Sequence, residues 1–168
     1  MRMKDDLPNR LVLIALLVLA TISLAVGQPF DVTSPGDPIV PTSYNTPQSE
    51  QVANAIDNQP TKYLNFDKLN TGFTVSPRVG STVLDGLSLT SANDHPERDP
   101  ASYVLSGSLD GTNFNGISSG PVPPFTNRFQ KQTILFTNET GYLHYRLIFP
   151  TVVDATTAVA MHISEVEC

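Results

Sequence analysis

Short runs in which apolar and polar residues alternate dominate the second half of the chain. They occupy residues 82–91, 103–108, 128–136, 143–149 and 159–167. A spacing of two is typical of a β-strand with one buried face, whereas a surface helix repeats its apolar residues every three to four positions. Only residues 50–56 favour a helix, of about two turns. The sequence therefore predicts an all-β chain.

Turn-forming residues divide these runs. The chain has 14 prolines and 10 glycines, the residues that most often interrupt regular structure. Asp110-Gly111 lies between two runs, where a tight hairpin turn needs positive φ, and residues 120–125 (GPVPPF) read as a loop. A short edge strand is predicted near residues 38–42. About eight strands without alternating helices predict an antiparallel β-sandwich of the jelly-roll type.

The charge of the chain argues against a polyanionic partner. There are 10 Lys and Arg against 16 Asp and Glu, a formal net charge of −6, and no run of basic residues. Nucleic-acid binding depends on a clustered basic surface that neutralises phosphates. We therefore expect no nucleic-acid partner.

The N-terminus has the pattern of an export signal. Three bases fall within residues 1–10, and residues 11–26 form an uncharged apolar run. That run is shorter than the roughly 20 residues of a membrane-spanning helix, and it ends with small residues, Ala25 and Gly27, at the −3 and −1 positions of a cleavage site. We predict that residues 1–27 are a signal peptide and that the protein is secreted. An uncleaved anchor, which would attach the chain to a membrane, is the alternative.

The remaining chain is predicted to be a lead-in segment, 28–36, followed by a single domain over 37–168. Its one cysteine, Cys168, is the last residue, so the sequence excludes an internal disulfide. Cys168 is a free or intermolecular thiol, or the sequence stops at a domain boundary.

Motifs of common enzyme classes are missing. The sequence has no G-x-S-x-G nucleophile elbow, Walker loop, G-x-G-x-x-G or H-E-x-x-H. The histidines, His95, His144 and His162, are scattered, and the last two alternate with apolar strand residues, so we expect them to face solvent. These features favour a binding module over an enzyme.

The last strand carries an unusual acidic pair. Strict alternation would place one set of residues on a single face: Val159, Met161, Ile163, Glu165 and Glu167. A carboxylate on a core-facing side must be neutralised or paired. Asp57 and Thr61 lie in a turn with many carbonyl oxygens, and Ca²⁺ takes about six to eight such oxygen ligands. Two interpretations stay open, a shared calcium site or a capped turn with two solvent-exposed glutamates.

Four segments together carry a family likeness. Residues 54–66 (NAIDNQPTKYLNF), 91–114 (SANDHPERDPASYVLSGSLDGTNF), 144–150 (HYRLIFP) and 161–167 (MHISEVE) resemble discoidin-like domains. That group includes coagulation factor type C domains and many bacterial carbohydrate-binding modules. The likeness spans residues 36–168.

The resemblance implies a galactose-binding-like jelly roll with a structural Ca²⁺ ion. The ligand set that it implies is Asn54, Asp57, Gln59, Thr61, Ser164 and Glu165. The turn after Asp57 lacks the glycine that is usual in relatives, and the chain has no tryptophan, which sugar sites in such modules often use.

The resemblance also implies that ligands bind at loops on one end of the sandwich. The loop over residues 93–98 offers Asn93, His95 and Arg98 as polar groups for a sugar, which also needs an apolar surface. A structural role for Arg98, as the ion-pair partner of Asp99, is the alternative. We expect an extracellular carbohydrate as the ligand. The competing functions are an adhesive domain that binds protein or lipid, and the accessory domain of a secreted enzyme.

Overall fold

The computed structural model describes residues 31–168, and the predicted signal peptide lies outside this range. This part of the chain contains ten β-strands and two short 3-10 helices, Val52–Ile56 and Pro96–Arg98, joined by loops. The strands are β1 Ile39–Pro41, β2 Tyr63–Asn65, β3 Thr71–Val75, β4 Gly86–Thr90, β5 Ser102–Ser108, β6 Asn115–Pro121, β7 Lys131–Leu135, β8 His144–Phe149, β9 Met161–Ile163 and β10 Glu165–Glu167. Within 31–168, no helix has the length and apolarity to cross a membrane.

The strands form the predicted antiparallel β-sandwich. A five-stranded sheet has the order β1-β3-β8-β5-β6, and the opposite layer consists of a three-stranded sheet, β10-β4-β7, with the β2-β9 pair. The described strands number ten rather than about eight. The difference arises partly because the chain bends at Ser164 and so divides the last run into β9, which pairs with β2, and β10, which pairs with β4.

The core lies between the two layers and follows the predicted alternation. Tyr145, Leu147 and Phe149 of β8 are buried, while the residues between them are half-buried on the outer face. Leu87 and Leu89 of β4 contribute to the core from the opposite layer. Each such side chain contributes about 1.5–3 kcal/mol on burial, so the strand pattern itself determines which faces meet.

The last strand differs from the prediction. Ile163 and Val166 both belong to the core, and their separation of three residues shows that the bend at Ser164 breaks the alternation. Glu165 therefore does not share the face of Ile163, and Val159 is exposed. The single-face prediction is wrong because residues 161–167 form two strands rather than one continuous strand. Glu165 is nevertheless only 8 % exposed.

The two ends of the described chain lie side by side. The Val32 N–H donates to the Cys168 carbonyl at 2.7 Å, and the Thr33 hydroxyl donates to the Val166 carbonyl at 3.3 Å. The Cys168 thiol is free, and burial raises its pKa to about 12. Its side chain is partly buried and packs against the hydrophobic core.

Candidate functional site

The turn after the first 3-10 helix is organised around Asp57. Its Oδ1 accepts a hydrogen bond from the Gln59 N–H at 2.8 Å, and its Oδ2 accepts one from the Thr61 hydroxyl at 2.6 Å. Asn58 has φ 56°, a left-handed conformation that asparagine tolerates better than most residues. Asparagine thus substitutes for the glycine that the resemblance leads one to expect.

The start of β10 closes over this turn. The Asn58 N–H donates to Glu165 Oε2 at 2.9 Å, and the Ser164 hydroxyl donates to the Thr61 carbonyl at 2.6 Å. The Asn54 side-chain amide donates to the carbonyls of Ser49 and Lys62, both at 3.0 Å, and fixes the base of the loop. All six residues of the predicted metal set therefore belong to one loop-and-strand unit.

Glu165 is the electrostatic centre of this unit. Burial raises the pKa of its carboxyl to about 8; the Asn58 N–H opposes that rise, and Asp57, Asp31 and Glu167 add to it by repulsion. A carboxylate in this setting needs either a proton or a cation. Without a cation, a proton on Glu165 meets this need at neutral pH, since the pKa of its carboxyl is about 8.

The donor atoms of the unit fit calcium. Within the part of the chain that the structure describes, no three His, Cys, Asp or Glu side chains group as a metal cluster. A metal ion bound by the two carboxylates would therefore take its other ligands from hydroxyl and backbone oxygens. Ca²⁺ accepts such ligands, whereas Zn²⁺ does not prefer them. Asp57, Glu165 and Thr61 supply side-chain oxygens, and carbonyl oxygens are available from the same loop.

Arg98, in the predicted ligand loop, forms no close ion pair or hydrogen bond through its side chain with the described residues. Asn93 and His95 are exposed. The His95 Nδ1 lies 2.9 Å from Glu97 Oε1. The Arg98 Nε is buried and has no hydrogen-bond partner among residues 31–168, and its ion-pair contact is with Glu97 at 3.8 Å. Because this Nε is shielded from solvent, an external acceptor would have to bind the outer nitrogens of the guanidinium.

The alternative role considered for Arg98 is wrong, because Asp99 pairs with Arg128 instead. Arg128 Nη1 and Nη2 lie 2.9 and 2.5 Å from the two carboxylate oxygens of Asp99. Arg98 closes the 3-10 turn, whereas Asp99 is extended (φ −59°, ψ 144°), so the two neighbouring side chains diverge. Asp99 is 1 % exposed, and this bidentate pair anchors the end of the loop in the protein.

The expectation that His162 faces solvent is also wrong, whereas His144 lies on the outer face of β8 as expected. His162 is completely buried: its Nε2 lies 3.3 Å from Asp99 Oδ1 and its Nδ1 lies 3.5 Å from Asp94 Oδ1. Strand β9 is covered on both faces, so alternation does not produce an exposed side there. His144 is half-buried, and its Nδ1 bonds to the Ser76 hydroxyl at 2.7 Å.

A further ion pair fixes the other side of the ligand loop. Lys62 Nζ lies 2.8 and 2.9 Å from the carboxylate oxygens of Asp94 and 3.5 Å from Glu50. Lys62 and Arg128 thus attach the loop to two separate segments of the chain. A loop held in this way loses little conformational entropy when a ligand binds.

Several solved structures with the same architecture are carbohydrate-binding modules. CBM32-3 from a family 31 glycoside hydrolase of Clostridium perfringens superimposes with a TM-score of 0.65 and 18% identity, covering 76% of this chain and 86% of that one. CpGH89CBM32-5 from the same organism, solved with GalNAc-β-1,3-galactose, gives 0.61 and 19%, covering 77% and 93%. The fold is discoidin-like.

A chitosan-binding module from Paenibacillus sp. IK-5 also has this discoidin-like fold. Its TM-score is 0.59 at 14% identity, with 82% of this chain and 97% of that one covered. No protein-family sequence model and no curated protein matches the chain. The likeness is therefore one of structure, and it confirms the discoidin-like, galactose-binding-like sandwich that the four sequence segments predicted.

Phe129 is a site residue that the sequence did not indicate. In this discoidin-like domain, its N–H donates to the Ala92 carbonyl at 3.4 Å, so it lies beside the ligand loop. The side chain is 46 % exposed and the backbone has φ 54°, a strained conformation for an aromatic residue. Phe129 and Pro60 line a common pocket of about 250 Å³, together with Glu165 of the loop-and-strand unit around Asp57. The sequence only suggested that residues 128–136 form a strand.

Proposed function

We propose that the protein is a non-catalytic, calcium-stabilised carbohydrate-binding module that works outside the cell. The observation that carries this proposal is the Arg98 guanidinium, whose buried Nε has no partner among the described residues, in a loop held rigid by ion pairs on a discoidin-like domain. The carbohydrate-binding modules with the same fold support it.

The loop offers the two kinds of surface that a sugar needs. Arg98 donates to ring or hydroxyl oxygens, and the exposed Asn93 amide and His95 imidazole supply further polar contacts. The exposed ring of Phe129 provides an apolar surface for the C–H face of a pyranose, in place of tryptophan. Donors and an aromatic face on one rigid edge favour a small neutral saccharide unit as the ligand.

Calcium is proposed as a structural ion between the first loop and the last strand. Asp57 and Glu165 would hold it through their carboxylates and Thr61 through its oxygens, with the backbone carbonyls of Asn54, Gln59 and Ser164 completing the set. The ion supplies positive charge to an acidic, desolvated site. Because the loop and strand are distant in sequence, the ion stabilises the folded state only.

The absence of catalysis is part of the proposal. It is supported by the missing nucleophile and metal-hydrolase motifs and by the non-catalytic nature of carbohydrate-binding modules. The Ser76–His144 contact at 2.7 Å joins a half-buried pair away from the ligand loop. Purified protein should leave glycoside and ester substrates intact, and turnover that survives repurification would contradict the proposal.

A glycan array tests the proposed function. Labelled protein should bind a restricted set of glycans, and Arg98→Ala should lose that binding because the guanidinium supplies the central donors. Arg78→Ala changes an exposed arginine on the β3–β4 loop and should bind as the wild type does. If correctly folded wild-type protein binds no glycan but does bind a protein or lipid, the proposal of a carbohydrate-binding module is wrong and an adhesive domain is the function.

A further inference from the structure

A groove crosses the outer face of the five-stranded sheet, on a different surface from the ligand loop. Its volume is about 550 Å³, and Val40, Asn70, Thr74, Arg146 and Ile148 are among its lining residues. The strand register places Val40, Thr74 and Arg146 in one row across β1, β3 and β8. The inward-facing neighbours on these strands form the core, so the groove is built on a rigid floor.

Arg146 is the charged group of this groove. Its guanidinium carbon lies 3.7 Å from the centroid of the Phe114 ring, and its Nε donates to the Thr74 hydroxyl at 3.3 Å. No carboxylate of residues 31–168 forms an ion pair with Arg146, and its Nη atoms donate no hydrogen bond within that range. Stacking on Phe114 fixes the plane of the guanidinium. The side chain is therefore oriented but its terminal donors are unused.

The charge balance of the groove is the reverse of that of the chain. None of its lining residues is acidic, although the protein as a whole has six more acids than bases. A planar guanidinium with two free donors is complementary to a carboxylate, which it binds bidentately. Val40, which is 55 % exposed, and Ile148 add apolar surface, while the exposed Asn70 adds an amide.

We propose that this groove is a second saccharide site and that it takes a sugar bearing a carboxylate, a uronate residue of an acidic polysaccharide. Arg146 would bind the carboxylate, Asn70 and Thr74 the hydroxyl groups, and Val40 and Ile148 the C–H face of the ring. The inference rests on the proposed function in that the ligand is a saccharide, but the two sites differ in position and in the charge that they select.

Calorimetric titration with trigalacturonate, using its methyl ester as the uncharged control, tests this site. Wild-type protein and Arg98→Ala should bind trigalacturonate equally, whereas Arg146→Gln should bind it about tenfold more weakly or worse, since a charge-assisted pair is lost. The methyl ester should bind weakly to all three proteins. Raising the salt from about 0.05 to about 0.5 M should weaken the wild-type interaction.

A second substitution keeps the test decisive if Arg146→Gln does not fold. Val40→Asp puts a negative charge at an exposed position in the groove and should also weaken trigalacturonate binding. Equal affinity of wild-type, Arg146→Gln and Val40→Asp proteins, or loss of binding in Arg98→Ala, would overturn the proposal. If the protein binds neutral glycans at the loop but does not bind trigalacturonate, this second site alone is overturned. If it binds neither neutral glycans nor trigalacturonate, the proposed function is overturned as well. Preference for an acidic peptide over trigalacturonate would also overturn it.

Discussion

The backbone N–H of Asn58 donates to the Glu165 carboxylate at 2.9 Å, although 107 residues separate the two in sequence. This contact joins the turn after the first 3-10 helix to the last strand of the domain. It also places a buried carboxylate beside Asp57, whose charge adds to the rise in the Glu165 pKa. The proposed calcium ion would act at this junction.

Calcium should raise the melting temperature of the protein, and chelator should lower it. An ion that binds only the folded state contributes about 2.7 kcal/mol at a hundredfold excess over its Kd, and each kcal/mol shifts the melting temperature by about 2–8 °C for a domain of this size. Asp57→Ala and Glu165→Ala should abolish the response in a thermal melt, while Glu139→Ala, at an exposed position, should retain it. Identical wild-type melting in chelator and in millimolar calcium would exclude the ion.

Without calcium, stability should fall as the pH rises. Burial raises the folded-state pKa of Glu165 from 4.5 to about 8, so the folded protein holds a proton that the unfolded chain releases. The stabilising contribution is complete below the unfolded pKa and is lost as the pH rises through the folded one. Melting in chelator between pH 5 and pH 8, about the span of these two values, should show this decline. Glu165→Gln should flatten it; a pH response that is unchanged in this variant would contradict the assignment.

The buried ion pair of the ligand loop should matter more for stability than the candidate sugar-binding arginine. Arg128→Ala leaves the buried Asp99 carboxylate without its partner and should cost about 3–5 kcal/mol in the free energy of unfolding. Arg98→Ala removes a guanidinium with no matched partner and should cost much less. Urea denaturation measures both. Equal losses would mean that Arg98, like Arg128, has a structural role.

Gly107 should be intolerant of a side chain. A Cβ atom at this position of β5 would lie 2.2 Å from the Tyr142 ring, whereas at Gly116 of β6 nothing lies within 4 Å. Gly107→Ala should therefore destabilise the protein by about 1–3 kcal/mol through overpacking, with Gly116→Ala as the matched control on the neighbouring strand. Equal unfolding midpoints for the two variants would contradict the described packing of β5.

The sequence predicted the fold well, because alternation of apolar and polar residues directly indicates a strand with one buried face. The faces of β4, β5 and β8 follow from it. Prediction failed where burial depends on distant segments. His162 alternates with apolar residues yet is covered on both faces, and Ser164 bends the last run into two strands. Neither has a local signal.

The site was less predictable than the fold. The family likeness indicated six residues for a calcium site; the structure brings them together in one loop-and-strand unit, and their binding of calcium stays a prediction. No sequence feature indicated that Arg128 rather than Arg98 pairs with Asp99, because the partner comes from a loop 29 residues away. Phe129 likewise became a candidate only from the folded chain, because its position beside the ligand loop depends on a contact with Ala92, 37 residues away in sequence.

The most direct test of sugar recognition is an NMR titration of isotope-labelled protein with GalNAc-β-1,3-galactose and galactose. The account predicts saturable shifts at the amides of residues 93–99 and Phe129, and their loss in Arg98→Ala. Residues near Arg146 should not respond to these neutral sugars. Two results would contradict the assignment of the 93–99 loop as the carbohydrate site. One is that neither these sugars nor the glycans selected on the array shift any amide at any concentration. The other is that the shifts are confined to surfaces away from the 93–99 loop.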